Sequence, residues 1–526
     1  MKKLALLLCA VSLTNLGWAE EPAYFEIRVI DKETKRGVPL VELVTVHEVR
    51  YVTDNAGRIA YREPGHAGET IFFKIHAPGY EVPKDGFGIA GVRLKIQPGE
   101  SAAISLKRIN LAERLYRSTG QGLYRDSVML GEETPLEEPL GSGKVAGQDS
   151  TLVAEYRGKL YWFWGDTNRL SYPLGLFRMA GATSELPKNG GLAPSVGVNY
   201  DYFTNKDGFA RAMAEVKNPK GVVWIDGITT ALDAEGRQRL VGHFSRRPGL
   251  AQAYERGMMI YNDLRELFEV ETQIPVEDTW RYLQNHPIRV REGDSEFLMS
   301  GIPFPFTRVP AKLSAVMDPT AYESWSCIKE DEDPKTTKPE RDGDGKLVWK
   351  WRKGPPVTQK IEQRWLKQNL IELDEARYLP VDADDPDRHV LMHTGSVFWN
   401  AHRQRYILIA IEQNYDSKAP SMLGEVWYSE AESAQGPYQK AVKILTHDKQ
   451  SFYNPCQHPY FDEEDGRVIY FEGTYCNTFT NSPATPRYNY NQIMYRLDLG
   501  NPKLVSAFSS PKKRTVARES PFTPRK

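Results

Sequence analysis

Polar and apolar positions alternate with period two from Phe25 through Glu26, Ile27, Arg28, Val29 and Ile30 to Asp31, which predicts a strand with one face in a core. A turn follows at Lys35-Arg36-Gly37-Val38-Pro39. Tyr51 to Ile59 reads as a hairpin closed at Asn55-Ala56-Gly57, where the turn needs a positive φ at Gly57. Residues 72–77 and 92–106 supply further strands. The pattern predicts a small β-sandwich over 22–108, with no cluster of convergent polar residues in it.

Residues 109–147 are polar and partly rich in Glu and Pro (Glu132-Glu133-Thr134-Pro135), and predict a linker with a short helix at its start. From residue 148 to about 500 one arrangement recurs: an apolar run, a turn carrying Gly, Asp or Arg, then an aromatic-rich strand ending in a polar residue. The strands after the turn are 159–166, 238–245, 296–301, 405–412 and 467–472. Each is followed by another, at 176–182, 257–261, 311–317, 424–429 and 492–497. Sheets of three or four strands cannot bury both faces alone and must pack on their neighbours. Five units predict an all-β chain: an N-terminal immunoglobulin-like sandwich and a five-bladed propeller. A charged insert at 329–388 carries an amphipathic helix near 361–370 and is expected to cap the ring.

The two ends read differently. Met1-Lys2-Lys3, an apolar run from Leu4 to Leu13 and Gly17-Trp18-Ala19 predict a signal peptide over 1–19, hence a secreted or periplasmic protein. The basic tail 501–526, with Pro511-Lys512-Lys513-Arg514, has little to bury and predicts disorder. No other stretch is long and apolar enough to span a membrane. A formal net charge of -1 gives no reason to expect a nucleic-acid partner. Past the signal, Cys327, Cys456 and Cys476 lack CxxC spacing, so buried free thiols are expected rather than a disulfide framework or zinc site.

Polar residues fall at corresponding places in all five units. Unit one has Gln148, Asp149, Ser150 and Asp166, and unit two has Asp226. Unit three has Asn285 and His286, and unit four has His393 and Glu412. Unit five has Asn454, Gln457, His458 and Glu472. Singly each has an ordinary explanation: Asp166 can cap a turn, and Glu472 can end a strand in solvent. Together they predict a polar funnel. Glycosidic cleavage needs one carboxyl to protonate the leaving oxygen and another to activate water or attack carbon. Asp149, Asp226, Glu412 and Glu472 are the catalytic candidates, and crowding of like charges would raise at least one pKa. Gln148, Asp166, His286, His393, Gln457 and His458 are substrate-binding candidates. Arg487, after the last hairpin, would suit an anionic sugar. Trp224, Tyr415, Tyr453 and Tyr475 could offer flat faces to sugar rings. The spacing of the histidines names no metal, no cofactor is required, and a structural Ca2+ ion in the channel stays open.

The run Gln148-Asp149-Ser150 … Gly158-Lys159-Leu-Tyr-Trp-Phe-Trp-Gly165-Asp166-Thr167 resembles the first blade of secreted five-bladed glycoside hydrolases, endo-D-arabinanase-like proteins among them. Gly395-Ser396-Val397 … Trp399-Asn400 and Gly424-Glu425-Val426-Trp427-Tyr428-Ser429 are similar to furanosidase-type propellers. The resemblance covers roughly 147–499. It implies Asp149 as base or nucleophile, Glu412 or Glu472 as general acid, and Asp226 as the residue that orients or tunes the pair. The N-terminal segment resembles carboxypeptidase-regulatory-like modules through Thr53-Asp54 … Gly57-Arg58-Ile59 and His76-Ala-Pro-Gly-Tyr80. The leading expectation is a hydrolase acting on a polysaccharide or oligosaccharide. The rivals are a lyase using His458 or His393 with Arg487 on a uronate, and a non-catalytic carbohydrate binder.

Overall fold

The computed structural model describes residues 23–508, apart from Pro219, Asp331 and Pro334. The expected signal peptide and most of the basic tail lie outside them. Strands dominate; the longest of three α-helices is Gln359–Lys367. None of the described helices is long and apolar enough to cross a membrane.

Two four-stranded sheets come first. One runs, in spatial order, Arg58–Tyr61, Phe25–Asp31, Ser101–Arg108, Tyr80–Glu81; the other Arg50–Val52, Glu42–Thr45, Thr70–His76, Gly91–Lys95. Alternate residues of both meet in one core, with Ile27, Val29, Leu43, Phe73 and Leu106 almost fully buried. Gly57 has the positive φ (72°) the hairpin requires.

Together with a three-stranded sheet of Val145–Gln148, Thr167–Arg169 and Tyr172–Leu176, five sheets of four or five strands follow along the chain. Their first strands are Leu152–Tyr156, Val222–Leu232, Ile288–Glu292, Met392–Asn400 and Ser451–Gln457. The aromatic-rich strands lie second in each sheet: Lys159–Trp164, Gln238–Arg247, Ser295–Ser300, Arg405–Glu412 and Val468–Cys476. Burial on both faces explains their near-continuous apolar character. Sheets one to five are named below in this order.

Four segments depart from the sequence reading. Residues 109–147 are not a simple linker: Glu113–Arg117, buried at every position, forms the outer strand of sheet five beside Asn491–Asp498. Its charged residues hid it, because Glu113, Arg114 and Arg117 all find buried partners. Residues 311–317 are not a strand; the sheet-three strand Thr307–Pro310 ends at proline and Leu313–Val316 is helical. The insert does more than cap, since Lys350–Arg352 and Val381–Asp382 are outer strands of sheets three and four. The start of the tail is ordered: Pro502–Ala507 is a 3-10 helix that buries Leu504 and Ala507, three residues apart on one side.

Candidate functional site

Residues in or beside the first two strands of the five sheets are tied into a closed cycle by hydrogen bonds. Trp224 Nε1 of sheet two donates to Asp166 Oδ1 of sheet one at 3.0 Å. Asp226 Oδ1 accepts from the Asn285 amide, leading into sheet three, at 2.7 Å. The Asn285 side-chain amide donates to the Gly395 carbonyl of sheet four. Ser396 Oγ of sheet four accepts from the Gln457 amide of sheet five at 2.8 Å. Tyr453 of sheet five returns to sheet one, donating to Asp149 Oδ2 at 2.9 Å, and Asn454 donates to Ser150 Oγ at 2.7 Å.

The backbone is irregular where these residues sit. The first strands of sheets two, four and five each carry a register shift, at 226–229, 392–395 and 453–456. Bulges release Gly227-Ile228, His393-Thr394 and Asn454-Pro455 from the ladder, the first directly beside Asp226. Ser150, Gly227, Asn285 and Asn454 have φ of +58°, +63°, +52° and +51°. Such positions are costly for residues other than glycine and cluster at functional sites.

Three aspartates take part in this cycle, and burial opposes the ionisation of each. Asp149 is partly exposed but ringed by neighbours; burial, then the negative charge of Asp166, pushes its pKa up to about 7 against the donated Tyr453 hydroxyl. Burial raises Asp226 to about 6 although the Gly227 and Asn285 amides donate to it and Arg247 stands near. Burial also raises Asp166, partly offset by Trp224.

No family model matches the chain, and no curated protein matches it. Solved structures do. The chain is similar to an exo-1,5-α-L-arabinanase from a bovine ruminal metagenomic library at 10% identity, covering 67% of this chain and 93% of that one, with a TM-score of 0.34. It is also similar to a GH43_1 enzyme from Xanthomonas citri complexed with xylotriose (9%, 67% and 86%, TM-score 0.32). A third is an exo-β-1,3-galactanase from Phanerochaete chrysosporium with galactose (10%, 74% and 65%, TM-score 0.33).

The other candidates divide. Glu412 is 4% exposed and already engaged by Arg388, Asn414 and Trp427. Glu472 is fully buried, accepting from Ser118 Oγ at 2.7 Å and lying 3.1 Å from His458 Nε2. Gln148 and Gln457 are equally sealed, Gln148 taking the Tyr202 hydroxyl at 2.8 Å. His286 reaches across the cycle, its Nδ1 3.3 Å from Cys456 Sγ; burial and the neighbouring His458 hold it down to about 3, hence neutral. His393 is partly exposed, lowered by burial, with a buried Nδ1 that has no partner. Arg487 is elsewhere, donating to Asp126 Oδ2 at 2.7 Å where the N-terminal sheets meet sheet five. A cleft of about 700 Å³ lies at the same seam, lined in part by Glu33, Arg108 and Asp498, and apart from the aspartates. Tyr415 is 73% exposed and Tyr475 is buried on Thr485. Among the described residues Cys327, Cys456 and Cys476 are free and buried. Among the described residues no group of three or more His, Cys, Asp or Glu is arranged to hold a metal ion.

Sequence reasoning missed Tyr490, whose hydroxyl interacts with Asp149, and Arg247 beside Asp226. The signal for Arg247 was present: His243, Ser245 and Arg247 alternate at the end of their strand, with His243 and Ser245 opposite Asp226 and Trp224.

Proposed function

We propose that the five sheets are the blades of a five-bladed propeller, that the N-terminal pair is an immunoglobulin-type module, and that the chain is a secreted or periplasmic glycoside hydrolase acting on a polysaccharide or oligosaccharide. The closed hydrogen-bond cycle supports the ring. The observation that carries the activity is that Asp149, Asp166 and Asp226 all take part in that cycle, with two carboxyls raised to about 7 and about 6. Their environments set them apart, which is how one site runs acid and base chemistry together.

Asp149, the later to ionise, is the proton donor to the leaving oxygen. Tyr453 and Tyr490 hold its orientation, and Asp166 keeps its proton on by repulsion. Asp226, fixed by two backbone amides, is the carboxylate that activates water or attacks the anomeric carbon. This reverses the role that the family resemblance implies for Asp149 and relieves Glu412 and Glu472, which are committed to internal partners. Activity then follows a bell between about 6 and 7, requiring Asp226 ionised and Asp149 protonated.

The test is a glycan panel scored for new reducing ends and for ultraviolet absorbance, with Asp149→Asn and Asp226→Asn as controls. Reducing ends without absorbance, reduced about 10²- to 10⁴-fold in either variant, is the expected outcome. An absorbing unsaturated product would replace the hydrolase with a lyase, and binding without turnover would leave only a carbohydrate receptor.

A further inference from the structure

We infer that the site accepts a sugar carrying an anionic substituent, a carboxylate or a sulfate, and that Arg247 is the residue that recognises it. This rests on the carbohydrate reading above and names the chemical class of the ligand.

Residues directly opposite in an antiparallel pair share a face. In sheet two, Trp224 faces Ser245, Asp226 faces His243, and Ser245 in turn faces Arg256. One face of the sheet therefore presents Asp226 beside two guanidinium groups and an imidazole. Asp226 is the carboxylate held near these cations, and it is already occupied by two backbone amides. The other acidic groups nearby are spent: Asp278 accepts from Arg281 at 2.7 Å, and Glu255 pairs with Arg246 at 2.8 Å.

The two guanidinium groups and the imidazole, by contrast, are under-satisfied. Arg247 is partly exposed, donates through Nε to Ser245 Oγ at 3.0 Å and lies 5.6 Å from the Trp224 ring centroid. Among the described residues no acceptor takes its two terminal nitrogens. His243 is 4% exposed, stacked on Tyr282 at 3.9 Å, and both its ring nitrogens are buried without a partner. Arg256 gives one nitrogen to the Asp278 carbonyl and the Tyr282 hydroxyl, yet its buried Nε has no partner. Buried donors without acceptors are expensive, and a patch of like charge is more so. Burial and Arg256 together push the Arg247 pKa down, and His243 is held neutral by burial and both arginines, as expected of a site short of negative charge. A planar guanidinium fixed over an indole, with its fork free, matches a carboxylate or sulfate on a ring stacked nearby. Trp224 bonds to Asp166, so the same side chain ties this subsite to the aspartates.

The test uses the full chain carrying Asp149→Asn, so that binding is read without turnover. Calorimetry compares oligogalacturonate, its fully methyl-esterified form, a sulfated galactan oligosaccharide and the matching neutral galactan. Tighter binding of oligogalacturonate or of the sulfated galactan than of its neutral counterpart, reduced about ten- to a hundredfold by Arg247→Gln, is expected. Which anion wins identifies the substituent. Equal affinity for charged and neutral glycans, no binding of either anion, or indifference to Arg247→Gln would overturn the inference. Arg247-dependent binding in a protein whose unsubstituted form releases no reducing ends would refute the hydrolase and leave the subsite standing.

Discussion

Asp149 carries a cost that its neighbours impose. Its carboxyl is raised to about 7, well above the ordinary carboxylate range, so the folded chain holds a proton there that the unfolded chain has released. Stability from this group is present at acid pH and is lost as pH rises from about 4 to about 7. Asp149→Asn should therefore leave the melting temperature unchanged near pH 4. At pH 8 it should stabilise by about 1–2 kcal/mol, a figure reduced for the partial exposure of the carboxylate. Equal melting at pH 8 would show that the burial penalty is not there. Asp166→Asn retains an acceptor for Trp224 but removes the repulsion on Asp149. The alkaline limb of the rate profile should move to lower pH by roughly half a unit, visible in kcat/KM against pH.

At the scale of the element, strand Glu113–Arg117 does the most with the fewest residues. Leu115 is fully buried among Trp162, Trp164 and Met494, and Leu115→Ala should cost about 2–5 kcal/mol in urea unfolding. A loss below 1 kcal/mol would mean that the strand merely rests on sheet five. The strands after each turn were legible in the sequence because long apolar, aromatic runs leave few alternatives. This strand was not, because Glu113, Arg114 and Arg117 look solvent-facing until their partners, over 370 residues away in two cases, are known. The site shows the same division. Asp149, Asp166 and Asp226 could be named because polar residues recur at corresponding places of the units. Arg247 was not singled out, and the burial of Glu412 and Glu472 depends on partners that no local pattern reveals.

For the whole molecule, the seam with the N-terminal sheets is clamped by polar groups. Asn55 and the Arg117 backbone exchange two hydrogen bonds of 2.9 Å. Arg114, 2% exposed, donates to the Pro39 and Pro78 carbonyls, and Tyr488 donates to the Thr53 carbonyl at 2.7 Å. Calorimetry should accordingly show one transition. Asn55→Ala leaves the Arg117 amide and carbonyl buried without partners, costing about 2–3 kcal/mol, and should split that transition into two. Two transitions in the unsubstituted protein would mean the modules melt independently.

The closing strand lies near the start of the chain while its partner, Asn491–Asp498, lies near the end, with Glu113 and Arg496 383 residues apart. During synthesis the early strand must wait on its own N-terminal sheets with one edge unpaired until the last sheet arrives. A second copy can supply that missing edge as readily as the chain's own end can. Crowded nascent chains should thus trade strands and accumulate as swapped dimers, whereas chains truncated before residue 491 lack the donated strand and should not.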